Sequence, residues 1–224
     1  NLATLIDAYA RHVSRSKHPA RLLIAGGTGW KNSAIFAAVE RHRLQERVHF
    51  LGKVSDQELL ELYNSGTAFC YPSLYEGFGL PVIEAMSCGA AVITSRVTSL
   101  PEVGGDAVHY VDEPRDEREL AEALTAVLED RGLQERLRRD GLQRAGQFSW
   151  DRTARETLDL LTRVVADKSL DPIGVQVGVD ERGMVAGFYD IERPPEGAFR
   201  WMQRRGVLHL PVAANQSTLH VVAA

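Results

Sequence analysis

Pro72-Ser73-Leu74-Tyr75-Glu76-Gly77-Phe78-Gly79-Leu80-Pro81-Val82-Ile83-Glu84-Ala85-Met86 reads as a strand end, a glycine-containing loop and a helix start. Residues 67–71 before it are a short apolar run, as expected of a buried strand. Pro81 falls in the first turn of a predicted helix from about Leu80, and Gly89 lies just past its end. Gly77 and Gly79 let backbone amides approach a ligand closely. The helix start adds free N–H groups and partial positive charge, which suits a phosphate. A carboxylate is a poor neighbour for a phosphate, so Glu76 and Glu84 suit sugar hydroxyls better. Two plainer readings stand beside this one. Glu84 can favour the helix dipole, and Glu76 can be a solvated loop acid.

Working outward, the same strand–loop–helix unit recurs. Toward the N-terminus, residues 2–13 form an amphipathic pattern with Leu2, Leu5, Ile6, Tyr9, Ala10 and Val13 on one face. Strands are predicted at 21–25 and 47–51, with a helix at about 32–44 between them. Ser55-Asp56-Gln57-Glu58 is a capping box that opens a helix ending near Gly66. Toward the C-terminus, strands are predicted at 91–94 and 107–111, and Ser99 is placed to cap a short helix between them. Helices follow at about 115–129, 132–148 and 150–166.

Short apolar strands alternating with helices indicate an α/β domain, a parallel sheet covered on both faces. Ligands of such sheets bind at the carboxyl ends of the strands. The loops after Ala25, Leu51, Tyr71 and Thr94 are therefore expected on one rim. The pattern changes near Lys168. Four short β segments, at 174–179, 184–189, 206–212 and 218–222, are separated by turn signals. The expected domains are 1–167 and an incomplete, antiparallel β-rich segment at 168–224. Residue 1 is Asn, and a helix that opens an α/β unit normally follows a strand, so a strand is expected before Asn1. The chain also ends within a strand-like run.

Composition narrows the function classes. The chain has 224 residues, 44% hydrophobic and 25% charged, with a net charge of −4. The acidic balance gives no footing for nucleic acid. Cys70 and Cys88 have no metal-ligand spacing and read as buried thiols in a reducing, cytoplasmic setting. No metal site is expected. The longest apolar runs are too short to span a bilayer. His12, His18, His42, His49 and His109 lack partners in the linear pattern and read as structural. The arginines of 131–144 alternate with acids and read as a solvated helix face.

The stretch Glu76-GFGLPVI-Glu84 resembles the E-x7-E motif of glycosyltransferase family 4, retaining enzymes of the GT-B fold. Asn1, the AGGTGW turn at 25–30 and the segments 48–63, 71–92 and 99–107 match the family's wording in the same order. The resemblance covers about residues 1–166. It implies a Rossmann-like domain, the C-terminal half of a GT-B fold. By the same resemblance, Glu84 binds the donor ribose, and Glu76 is the catalytic-site carboxylate that contacts donor-sugar hydroxyls. Backbone amides around Gly77, Phe78, Gly79 and Leu80 hold the diphosphate or sugar. Lys53 and Val54 line the base pocket. The family's phosphate-binding Lys falls immediately before Asn1, with an Arg nearby, so the segment alone is expected to be inactive.

The activity implied is retaining transfer of a sugar from a nucleoside diphosphate sugar, without cofactor, to a glycan or lipid-linked acceptor in polysaccharide biosynthesis. The wording resembles bacterial mannosyltransferases. GDP-mannose is therefore the expected donor and a UDP-sugar the runner-up. A setting in the cytoplasm, with peripheral contact at the inner membrane face, is expected. A non-catalytic carbohydrate-recognition or assembly module is the alternative. A dehydrogenase-type dinucleotide domain is weakened because Gly26-Gly27-Thr28-Gly29 lacks G-x-G-x-x-G spacing.

Overall fold

The computed structural model describes residues 1–27, 33–166, 184–188 and 202–208. They separate into two units, Asn1–Ser149 and Trp150–Ala224. In the first unit the order is α1 (Leu2–Arg15), β1 (Leu22–Ala25), α2 (Ser33–Arg41), β2 (Val48–Gly52), α3 (Asp56–Ser65), β3 (Phe69–Tyr71) and α4 (Leu80–Ser87). It continues with β4 (Val92–Ser95), α5 (Leu100–Gly104), β5 (His109–Val111), α6 (Glu117–Glu129) and α7 (Arg131–Ala145).

Every pairing among β1 to β5 is parallel, as the alternation with helices requires. The single sheet expected over residues 20–112 is resolved as two ladders, β1-β2 and β3-β4-β5, with no backbone pairing between β1 and β3. Both ladders nevertheless contribute to one core. Leu22 and Ile24 of β1 pack with Cys70 of β3 and Ile93 of β4 against Leu5, Ile6 and Tyr9 of α1 and Leu120 and Leu124 of α6. A second core lies on the opposite face, where Val92 of β4 meets Tyr63, Val82, Met86, Leu100 and Val103. Val92 and Ile93 are adjacent in sequence and enter different cores, because successive strand side chains point to opposite faces. All four residues of β4 are buried, and the two polar ones, Thr94 and Ser95, are satisfied by donating to backbone carbonyls of Tyr71 and Ser73.

Local chemistry sets the helix boundaries. Ser55 accepts from the Glu58 amide, and the Glu58 carboxylate accepts from the Ser55 amide at 2.7 Å. Asp116 caps α6 through the amides of Arg118 and Glu119, and Asp130 caps α7 through that of Leu133. Two expectations shift here. Ser99 precedes α5 as predicted but makes no cap; its hydroxyl is turned to the loop at 76–78. The predicted C-terminal ends of α2 and α7 shorten by three residues each, the usual result where a periodic pattern runs past the last intrahelical bond, and α6 starts two residues later than expected.

His12 is buried between α1 and α6, with Nδ1 donating to Thr125 Oγ1 at 2.9 Å. The Thr125 hydroxyl itself donates to Ala121 O. The histidine is thus satisfied in the core, as its neutral form requires. Cys70 and Cys88 are free thiols, and burial pushes the Cys70 thiol up to about 12.

The second unit contains α8 (Trp150–Ala166), β6 (Met184–Phe188) and β7 (Met202–Leu208), and the two strands pair antiparallel. Helix α8, placed by the sequence with the first domain, groups with this unit. The predicted β segments at 174–179 and 218–222 lie outside the described residues, as do Thr28, Gly29 and Trp30 of the glycine turn. Among the described residues no helix is long and apolar enough to cross a membrane.

Candidate functional site

Parallel pairing puts the ends of β3 and β4 on one rim, and the loop leaving β3 crosses it. Thr94 Oγ1 donates to Tyr71 O at 2.9 Å, and the Ser95 hydroxyl donates to Ser73 O. Both serve to direct the chain from β3 into the loop. The α1 start lies on the same rim: Asn1 Nδ2 donates to Pro72 O at 3.0 Å and to Pro114 O at 2.6 Å.

The loop ends at Gly79, the N-cap of α4, whose φ is +105°. A side chain there is doubly disfavoured, since a Cβ would also lie 2.7 Å from Leu100 Cδ2. Gly77 differs. Its φ is not positive, and a Cβ on it would meet nothing within 4 Å. Nothing in the fold demands a glycine at 77. Among the described residues, the amides of Gly77, Phe78, Gly79 and Leu80 have no hydrogen-bond acceptor. Pro81 in the first turn removes the donor that would otherwise follow them. Free N–H groups at the positive end of a helix form an anion-binding arrangement.

Each predicted carboxylate is held by a tyrosine. Tyr71 Oη donates to Glu76 Oε1 at 2.6 Å, and Ser73 Oγ donates to the same oxygen at 2.6 Å. Tyr63 Oη donates to Glu84 Oε2 at 3.2 Å. Glu76 Oε2 and Glu84 Oε1 are left with no partner among the described residues. Burial, then the charge of Glu84 and its hydrogen bond, push the Tyr63 hydroxyl well above its ordinary value. The Tyr71 hydroxyl is raised in the same way by burial and Glu76, and the charge of Glu84 reaches it too. Both phenols therefore remain protonated donors. Phe69 joins them from beneath, edge-on to Tyr63 at 5.1 Å and stacked on Tyr71 at 5.9 Å. This aromatic row fixes the two hydroxyls, and they fix one oxygen of each acid.

Glu76, Gly77, Phe78, Gly79, Leu80 and Glu84 are thus brought together. Glu84, Phe78 and Leu80 are exposed, and Gly79 is buried. Lys53 and Val54 make no hydrogen bond to this group among the described residues. They line a separate hollow of about 360 Å³ beside α3, with Leu51, Glu58, Glu61, Leu62 and Ser65. No α4 residue is in its wall. A larger hollow of about 480 Å³ between the end of α3 and α6–α7 contains none of the predicted residues. No group of His, Cys, Asp or Glu among the described residues is arranged to hold a metal ion. The sequence reading missed Tyr63, Tyr71, Ser73, Thr98 and Ser99 as site residues. The tyrosines appear in the linear pattern as apolar positions of a helix and a strand, and the hydroxyl residues as ordinary loop or cap positions.

The chain is similar to known proteins across this same region. It is 38% identical over 159 residues to the O-antigen chain mannosyltransferase B of Escherichia coli, covering 71% of this chain and 42% of that protein. Its fold matches sucrose-phosphate synthase from Thermosynechococcus elongatus with a TM-score of 0.64 and 30% identity, over 74% of this chain and 42% of the other. It also matches Anabaena HepE, solved in complex with UDP and glucose, with a TM-score of 0.63 and 22% identity, over 71% and 44% of the two chains. The chain spans less than half the length of each of these relatives. The family model for glycosyl transferases group 1 matches residues 1–144, which include both carboxylates, their tyrosines and the open start of α4. The chain belongs to the glycosyl transferases of group 1.

Proposed function

We propose that this chain binds a nucleoside diphosphate sugar on the rim formed by Glu76–Leu80 and Glu84. In the whole protein it would serve retaining transfer of a hexose, mannose first, to a glycan or lipid-linked acceptor. The observation that carries the reading is the pairing of four unengaged amides with two oriented carboxylates at one helix start. The amides suit the diphosphate. Glu84 Oε1 is free to accept from ribose hydroxyls, and Glu76 Oε2 from hydroxyls of the sugar. Lys53 and Val54 would flank the base.

As the anomeric C–O bond breaks, negative charge builds on the departing diphosphate. Fixed donors already aimed at it require no reorganisation at that moment, which is how such a site lowers a barrier. Glu76 and Glu84 are assigned to donor binding rather than to acid/base work on a glycoside. The name of the Escherichia coli relative supports mannose, and so GDP-mannose ahead of a UDP-sugar. A place of action in the cytoplasm, with peripheral contact at the inner membrane face, fits a lipid-linked acceptor. The reading calls for no bound metal, so EDTA should leave nucleotide binding unchanged.

Calorimetric titration of GDP, GDP-mannose and UDP-glucose into the 224-residue chain and its Glu84→Ala and Glu76→Ala variants tests this. Glu84→Ala should weaken every nucleotide about ten- to a hundred-fold, the worth of a charge-assisted hydrogen bond. Glu76→Ala should weaken GDP-mannose more than GDP. Unchanged nucleotide affinity in Glu84→Ala would remove the ribose role.

A further inference from the structure

The end of β4 and the segment that leaves it carry four hydroxyl residues, Thr94, Ser95, Thr98 and Ser99, and these run alongside the β3–α4 loop. Thr94 and Ser95 hold the loop's first residues through Tyr71 O and Ser73 O. Thr98 and Ser99 hold its functional end. The Glu76 amide donates to Thr98 Oγ1 at 3.0 Å. The Ser99 hydroxyl shares its one proton between Phe78 O at 2.9 Å and Glu76 O at 3.1 Å. The amide just before the four free ones is thus occupied, and the carbonyls of the loop are turned toward Ser99. The peptide units 76–77 and 78–79 are thus held by their carbonyl edges, and their amide edges stay open.

Thr98 makes its contact from an unusual backbone. Its φ is +47°, one of two non-glycine residues with positive φ among the described residues. A β-branched residue rarely adopts that region, and such outliers persist where the surroundings over-determine them. Glycine would relieve the strain but has no hydroxyl to offer Glu76. Thr98 is exposed, so no buried apolar contact explains its identity.

We propose that Thr98 and Ser99 are positioning residues that brace the loop Glu76–Leu80, with Thr98 held in a strained backbone to supply the acceptor for the Glu76 amide. The brace keeps the amides of Gly77 to Leu80 aimed together at one anionic group. This assignment of a ligand rests on the reading of the α4 start as the nucleoside diphosphate site. The brace itself is a statement about the loop and is testable without ligand.

The experiment compares the 224-residue chain with its Thr98→Val, Thr98→Ser and Thr98→Gly variants by three measurements. These are amide hydrogen exchange of the peptide carrying Glu76, calorimetric affinity for GDP, and thermal unfolding. Thr98→Val keeps the shape and loses the acceptor. Exchange at the Glu76 amide should accelerate about tenfold, and GDP affinity should fall by about the same factor, the worth of one hydrogen bond. Thr98→Ser should restore both. Thr98→Gly should unfold at a temperature no lower than wild type, because the strain is gone, while binding GDP as poorly as Thr98→Val. That combination of undiminished stability with lost affinity is one a merely structural residue would not give. It also keeps the test decisive if Thr98→Val folds poorly. Wild-type exchange and affinity in Thr98→Gly would overturn the brace, as would a Thr98→Ser variant no better than Thr98→Val. If the wild-type chain binds no nucleoside diphosphate, the ligand reading fails, and the exchange rates alone decide the brace.

Discussion

Helices α3 and α4 begin in opposite ways. Helix α3 is closed by its own sequence: Ser55 and Glu58 satisfy each other's backbone amides within four residues. Helix α4 begins at Gly79 with no side-chain cap, and the amides around it are unengaged. The first arrangement spends its donors on stability. The second holds them open, and the support for that comes from elsewhere, from the α5 side chain Leu100 beneath Gly79 and from Thr98 and Ser99 beside the loop. Helices α6 and α7 follow α3, each with an aspartate cap. Side chains close these three helix starts, whereas α1 and α5, like α4, begin without a side-chain cap.

The largest expected effect is at the open end. Gly79→Ala places a Cβ in a left-handed conformation and against Leu100. The conformational cost of about 1–2 kcal/mol adds to an overpacking cost of about 1–3 kcal/mol. Urea denaturation should register the sum, and nucleotide binding should be lost with it. Gly77→Ala is the control, since its Cβ meets open space. It should unfold within about 0.5 kcal/mol of wild type, and any loss of affinity it causes would locate the ligand against that backbone. A Gly79→Ala variant as stable as wild type would show that the start of α4 is not built around glycine.

A smaller effect is expected at the closed end. Ser55→Ala should cost about 1 kcal/mol of stability and leave GDP affinity unchanged, since its contacts are all within α3. A fall in affinity there would mean that the hollow lined by Lys53 and Val54 depends on the cap, and the two ends would no longer be separable.

The smallest effect is one of pH and belongs to neither helix start. Burial lowers the pKa of His12, opposed in part by Glu129, and burial with nearby Arg136 lowers that of His109. Each is more readily protonated in the unfolded chain. The stability they allow is complete above the unfolded histidine pKa of about 6.5 and declines as pH falls below it. The window that reads these two groups is therefore about pH 6.5 to 5.5. Denaturation midpoints for wild type and His12→Gln should converge as pH falls through that window. A parallel pair of curves would show that His12 does not titrate between the folded and unfolded states.

Much of the fold was legible because its signals are local. The capping box at Ser55–Glu58 is complete within four residues, and the Glu76–Glu84 stretch carries its own loop and helix start. The boundary of α8 was also clear, from Trp150 and a periodic pattern. Its grouping with the second unit was not, because helical period fixes a face and leaves the partner open. Ser99 shows the same limit. A serine before Pro101 satisfies the pattern for a cap, and only the nearness of Phe78 O shows where its proton goes.

By itself the sequence determined the order of elements, the parallel class of the sheet and the placement of both carboxylates at one strand end. Those follow from hydrophobic period, chain connectivity and the handedness of βαβ units, all written in residues close to one another along the chain. Tertiary structure alone decided that Tyr63 orients Glu84 and that Thr98 takes up the Glu76 amide. Tyr63 and Glu84 are separated by 21 positions, and Glu76 and Thr98 by 22. A hydrogen bond over such a distance has no sequence period to betray it. It forms because two packed cores hold α3, β3 and the β4 exit in fixed relation to α4, and that relation is a property of the packing.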